Sequence, residues 1–99
     1  MGEEREIRLL INAAEMMKAV AHPVRMQIIS LLQKNKNLSV SRLQEILNIE
    51  QAIVSQHLAV MKKKGVLVCR REGKNAFYSI KNPLLTRIVD DVKKCQDCE

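Results

Sequence analysis

At 99 residues, with 46% apolar and 28% charged side chains, the chain has the balance of one soluble globular domain rather than a fibrous or disordered protein. No apolar run approaches the roughly 20 residues a membrane span needs, and Met-Gly-Glu-Glu-Arg lacks the basic start and apolar segment of a secretory signal, so a cytoplasmic protein without membrane contact is expected. The formal charge of +6 is concentrated: residues 51–81 hold seven Lys or Arg against Glu72 alone, whereas residues 1–50 come to +1 and residues 82–99 to −1. A solvated face would mix the signs, and a localised positive field suits a polyanion such as DNA.

In chain order, Ile7, Leu10, Ile11, Ala14 and Met17 recur at three- and four-residue steps and predict an amphipathic first helix. His22-Pro23 interrupts it, because proline suits the first turn of a new helix and disfavours helix in the residue before it. A second helix is expected from Pro23, carrying Val24, Ile28, Leu31 and Leu32 inward until Asn35-Lys36-Asn37. Ser39 then caps a short third helix with Leu43, Ile46 and Leu47 on its buried side. Asn48-Ile49 makes a tight turn into a fourth helix that runs to about Lys64 and stops at Gly65.

Beyond Gly65 the apolar period changes to two. The segments VLVCRR and AFYSIK flank Glu72-Gly73-Lys74-Asn75, which gives a β-hairpin with a basic tip. Asn82-Pro83 opens a last helix striped with Leu84, Leu85, Ile88, Val89 and Val92. The order is ααααββα in a single domain spanning residues 1–99. With one Phe, one Tyr and no Trp its core must come from Leu, Ile, Val and Met, so a partner subunit would help to cover it.

The fourth helix carries more hydrogen-bonding side chains than a core helix needs. At 100° per residue from Val54, Leu58 and Met61 fall within about 40° and form the inner side. Ala52, Gln56, Ala59 and Lys63 cluster opposite, with Ser55 between the two sides. Small residues let a helix enter the DNA major groove closely, Gln can bond two atoms on the major-groove edge of adenine at once, and Ser can bond a base or a phosphate. His57 lies about 60° from Val54, where a packed histidine donating to backbone or phosphate fits better than a metal ligand.

The segments AHPVRMQIISLL and LSVSRLQEILNIEQAIVSQHLAVMKKKGVLVCRREGKNAFYSI resemble the ArsR-type (ArsR/SmtB) winged helix-turn-helix repressors over about residues 15–80. The usual pattern there is a Pro-x-Arg second helix and a Ser-Gln-Ser-x-Val-Ser-x-His-Leu recognition helix, followed by a Gly-Leu-Val and Arg-Arg-x-Gly-Lys-x-x-x-Tyr wing. The resemblance implies a mostly α winged helix-turn-helix with a β-hairpin wing, acting as a homodimeric, sequence-specific DNA-binding regulator. Its dimer would pair through the first and last helices, about residues 5–20 and 83–95, using Ile7, Leu10, Ile11, Ala14, Leu85, Ile88 and Val92. Each subunit would lay one recognition helix in a major groove of an inverted-repeat operator. The expected DNA-contacting set is Gln51, Ala52, Ser55, Gln56, His57, Lys62, Lys63, Arg70, Arg71 and Lys74. Arg25 takes a structural or phosphate-binding role.

The chain also departs from the pattern. Ser39 and Ser41 stand where metal-sensing members carry Cys-x-Cys, and the last helix, NPLLTRIVDDVKKC, contains no His, so no metal site and no cofactor are expected. Glu50 and Ala52 replace serines at the start of the recognition helix. Glu50 suits the helix dipole but opposes phosphate. No nucleophile with an oriented base is present in the pattern, and no enzyme is expected.

Of the three cysteines, Cys69 in the first hairpin strand reads as a small, partly buried hydrophobe, with sensing as the lesser alternative. Cys95 and Cys98 lie three apart beside Lys93 and Lys94, whose charge favours thiolate. Three readings stand for the pair: an inert tail, a redox or reactive-sulfur switch, and half of a non-standard zinc site completed by the other subunit. The alternative function is a winged-helix protein-interaction module whose basic face binds an acidic partner.

Overall fold

Three of the helices begin where a side chain accepts from a backbone N–H that a helix terminus leaves free. The structure, a computed structural model, describes residues 2–97, and Cys98 lies outside the described residues. Helix α1 spans Gly2–Val20 and α2 spans Pro23–Lys34. Between them His22 is extended, and its Nδ1 accepts from the Val24 N–H at 3.1 Å, capping α2. Helix α3, Val40–Leu47, is capped by Ser39, whose Oγ accepts from the Arg42 N–H at 3.0 Å. Asn48 turns the chain in the left-handed region at φ 54°, and α4 follows as Gln51–Lys63. Gly65, at φ 80°, ends that segment in a conformation that side chains with a Cβ rarely adopt.

The hairpin consists of β2, Leu67–Glu72, and β3, Asn75–Ile80, in register Leu67↔Ile80 through Glu72↔Asn75. Gly73 and Lys74 form a two-residue turn with positive φ at Gly73 only. A two-residue strand β1, Leu38–Ser39, adds to the other edge of β3, so the sheet has the order β1-β3-β2. That strand has no signature in the sequence, because two residues show no period. Helix α5, Pro83–Asp97, begins with Asn82 Oδ1 accepting from the Leu84 N–H at 3.0 Å. No helix among the described residues is long and apolar enough to cross a membrane.

The core lies where α2, α3, α4 and the base of the hairpin meet. Ile28, Leu43, Val54, Leu58 and Met61 have no exposed surface, and Leu67 is nearly closed. Val54, Leu58 and Met61 are the inner side expected from the helical period. Ile46, expected to be buried on α3, is 40% exposed. The core side of that helix centres on Leu43 and Leu47, and Ile46 falls about 60° to the flank.

The terminal helices differ most from their sequence reading. Helix α1 carries two apolar stripes. Met16, Ala19 and Val20 pack on the subunit, while Ile7, Leu10, Ile11, Ala14 and Met17, on an arc of about 120°, stay exposed. On α5, Ile88 and Val92 remain about half exposed, at 46% and 47%. Leu85, grouped with them as an interface residue, is instead buried at 8% exposure within the subunit core beside Val89. The α5 stripe is wide enough to serve two surfaces, and Leu85 lies on its inward edge. Between the helices is an apolar hollow of about 260 Å³, lined in part by Met17, Val20, Met26, Ile88 and Val92.

Candidate nucleic-acid interface

Helix α4 is held by its apolar side and presents the other side to solvent. Gln51, Ala52, Ser55, Gln56, Ala59 and Lys63 are all exposed. Small side chains at positions 52, 55 and 59 keep that surface low, so the amide of Gln56 projects above it, and Gln51 is exposed in the first turn. Glu50 precedes the helix without any side-chain capping bond, leaving its carboxylate beside the free N–H groups of the first turn.

The three lysines that end α4 divide in function. Lys62 and Lys63 are exposed. Lys64 Nζ pairs with Glu15 Oε2 at 3.1 Å and ties the end of α4 to α1. That hydrogen bond and charge hold the Glu15 carboxyl below its ordinary range.

The hairpin arginines also differ. Arg70 Nε bonds Glu72 Oε1 at 3.0 Å, and its guanidinium lies 5.9 Å from the centre of the Phe77 ring. It is braced on the strand face shared with Phe77. Arg71 is one residue on and therefore points to the opposite face, with Cys69, Tyr78 and Ala76. Lys74 is exposed at the turn. Cys69 is half-buried opposite Tyr78 in the register, and burial first, then the neighbouring Cys69, push the Tyr78 phenol above its ordinary value. Cys95 is exposed near the end of α5. Its pairing with Cys98 concerns a residue outside the described ones.

At the margin of the core, His57 Nδ1 accepts from Arg25 Nε at 3.1 Å, which leaves Nε2–H as the donor of the ring. Arg25 Nη1 also donates to the Ala19 carbonyl at 3.3 Å, in the last turn of α1. The His22 ring lies 4.6 Å from that of His57, tilted by 48°. The resemblance gives Arg25 a structural or phosphate-binding role, but its meeting with His57 does not show in the sequence, because no periodicity connects positions 32 residues apart.

Burial first, then the nearby His22 and Arg25, hold the His57 imidazole below its ordinary value of 6.5. The folded state therefore favours neutral His57. This contribution to stability is present above about pH 6.5 and is lost as pH falls from there through the lowered folded value, since the unfolded chain takes up the proton first. Thermal melts across that range should show the midpoint falling with acid, and His57→Gln should flatten this part of the profile. An unaltered profile in the variant would assign the acid sensitivity to another group.

Comparison with known proteins adds a family match and three relatives. Residues 22–67 match the family model described as bacterial regulatory protein, arsR family. The transcriptional repressor PagR of Bacillus anthracis is 42% identical over 84 residues, 85% of this chain and 84% of that protein. Its crystal structure superposes with a TM-score of 0.79, covering 87% of this chain and 98% of that one. The transcriptional activator HlyU of Vibrio cholerae is 32% identical over 80% of this chain and 72% of its own. The solution structure of Mb0332 from Mycobacterium bovis, a homodimeric winged helix-turn-helix DNA-binding domain, matches with a TM-score of 0.84 at 28% identity, covering 94% of this chain and 85% of that one.

Proposed function

The chain belongs to the ArsR family of bacterial regulatory proteins, a family of winged-helix DNA-binding transcriptional regulators rather than enzymes, and on that premise we propose that it is a homodimeric, sequence-specific repressor. The observation that carries this reading is the solvent side of α4. It displays Ala52, Ser55 and Gln56 on a low surface, with Gln51 exposed in the first turn and exposed Lys62 and Lys63 following. An acidic protein partner would need the positive charge but not the amides. In this assignment Gln51, Ser55 and Gln56 meet base edges, while Lys62, Lys63, Arg71 and Lys74 meet phosphates. Arg70 contributes as a brace for the wing as well as a charge.

The exposed stripe of α1 and the outer edge of α5 supply the two-fold interface. Support comes from the apolar area they leave uncovered and from the homodimeric relative. Paired subunits would read an inverted repeat with half-sites about one helical turn apart.

Gln56→Ala should lose about 1–3 kcal/mol of discrimination at particular base pairs, because each good bidentate contact is worth that much. Lys74→Ala should weaken all duplexes alike, since phosphate contacts carry no sequence information. Affinities for a duplex selected from a randomised pool and for a scrambled duplex check both. Equal losses on the two duplexes for both variants would remove α4 from the groove.

Release of DNA is assigned to the Cys95 and Cys98 thiols, of which Cys95 is exposed near the end of α5 and open to oxidants. Peroxide or polysulfide would oxidise the pair to a disulfide, taking up the two electrons and two protons, and the bridge would distort the last turn of an interface helix. Operator affinity with and without oxidant, and with zinc, for the unmutated protein and Cys95→Ser/Cys98→Ser tests this. No response in any condition makes the pair an ordinary tail.

A further inference from the structure

We propose that Arg25 is a positioning residue: its hydrogen bonds to the Ala19 carbonyl and to His57 Nδ1 fix the DNA-reading helix to the end of α1, so base discrimination requires neutral His57. The inference rests on the assignment of α4 as the DNA-reading helix.

One planar guanidinium makes both bonds, through Nε to α4 and through Nη1 to α1. Such a group holds its two acceptors at a set angle, which a flexible ammonium cannot do. The apolar stripe of Val54, Leu58 and Met61 chooses which side of α4 faces inward. Apolar packing is non-directional, so the helix's axial placement needs a directional contact. Arg25 supplies one at mid-helix, and the Lys64–Glu15 pair supplies another two turns further on. Both lead to α1, whose exposed stripe belongs to the proposed dimer interface. The distance between the two reading helices of a dimer is thus transmitted through polar contacts.

The Arg25 contact depends on protonation. The Nδ1 lone pair of His57 is the acceptor, and a proton there would turn the acceptor into a donor facing another donor at 3.1 Å. Around His57, α2 contributes the Arg25 cation and the α1–α2 turn contributes His22. From α1, Glu15 is occupied by Lys64, and α3 and β2 meet the shared core through apolar Leu43 and Leu67. None of these contacts gives an imidazolium at position 57 a carboxylate partner. Acid should therefore release α4 from Arg25 rather than exchange one bond for another.

The test uses the full chain, a duplex it selects from a randomised pool, and a scrambled duplex, at fixed salt from about pH 8 to about pH 5.5. For the unmutated protein the ratio of the two affinities should fall roughly three- to thirtyfold as pH drops through the His57 range, the scale of coupling through a single contact. His57→Gln keeps an acceptor oxygen without the titrating proton, and its ratio, whatever its absolute size, should be flat. Arg25→Met should show a similarly reduced ratio already at the alkaline end. A His57→Gln profile that follows the unmutated one, or an Arg25→Met ratio equal to the unmutated value, overturns the proposal while leaving DNA reading by α4 intact. Absence of any preference for the selected duplex at every pH overturns both. Should Arg25→Met fail to fold, the His57→Gln comparison decides alone.

Discussion

Ile88→Glu should leave a folded monomer that binds a two-half-site duplex roughly 10²–10⁴-fold more weakly than the unmutated dimer, because the second half-site is no longer presented at high effective concentration. Ile88 is 46% exposed in the subunit, so a glutamate there keeps its water until a partner arrives. At a two-fold interface the two carboxylates would be taken out of water into an apolar stripe, which strongly disfavours assembly. Leu85→Glu, one turn earlier on α5, provides the contrast. Leu85 is 8% exposed inside the subunit, and a carboxylate there should abolish folding rather than dimerisation. Sedimentation together with far-ultraviolet circular dichroism separates the outcomes. A folded Leu85→Glu monomer would put Leu85 in the interface rather than the core, and a dimeric Ile88→Glu protein would place the interface elsewhere.

Leu58→Ala should destabilise the chain by about 2–5 kcal/mol, through lost apolar transfer and the cavity left behind. Leu58 has no exposed surface and stands between Val54 and Met61 on the inner side of α4. A small domain has about 5–15 kcal/mol in total, so the variant approaches the unfolding threshold. Ala59→Ser, on the exposed side of the next position, should change stability by no more than about 0.5 kcal/mol. Urea titration of both variants checks the orientation of the helix independently of DNA. Similar small losses for the two would mean that α4 is rotated from its observed setting.

These two variants rest on a helix whose inner face was legible from spacing alone. Val54, Leu58 and Met61 obey the helical period, and Pro23, Ser39, Asn48, Gly65 and Asn82 mark ends through their own backbone chemistry. The period-two segments around Gly73 gave the hairpin in the same way. What was hidden depends on tertiary contact. Strand β1 exists because β3 offers it a partner at Tyr78 and Phe77. Leu85 and Ile88 belong to one stripe in sequence and to different surfaces in space. A helical wheel shows that a stripe is wide and does not show where the subunit ends.

The exposed side of α4 was legible for the same reason as its buried side. The role of His57 was not. Its place at the margin of the wheel is consistent with a core contact, a phosphate contact or a polar link, and the bond from Arg25 on α2 leaves no trace in the spacing. The division among the basic residues was similarly hidden. Lys64 and Arg70 look like their neighbours in sequence, yet one holds α1 and the other is braced by Glu72 and Phe77.

The most direct test of the central claim is a salt titration of the unmutated protein against its selected duplex and a scrambled duplex of the same length. A dimeric reader should hold a preference of at least about a thousandfold for the selected duplex. Both affinities should fall linearly in logarithm with the logarithm of salt concentration as counterions are released. Equal affinities for the two duplexes at every salt concentration would contradict sequence-specific reading by α4 and leave a basic winged helix suited to an acidic protein partner.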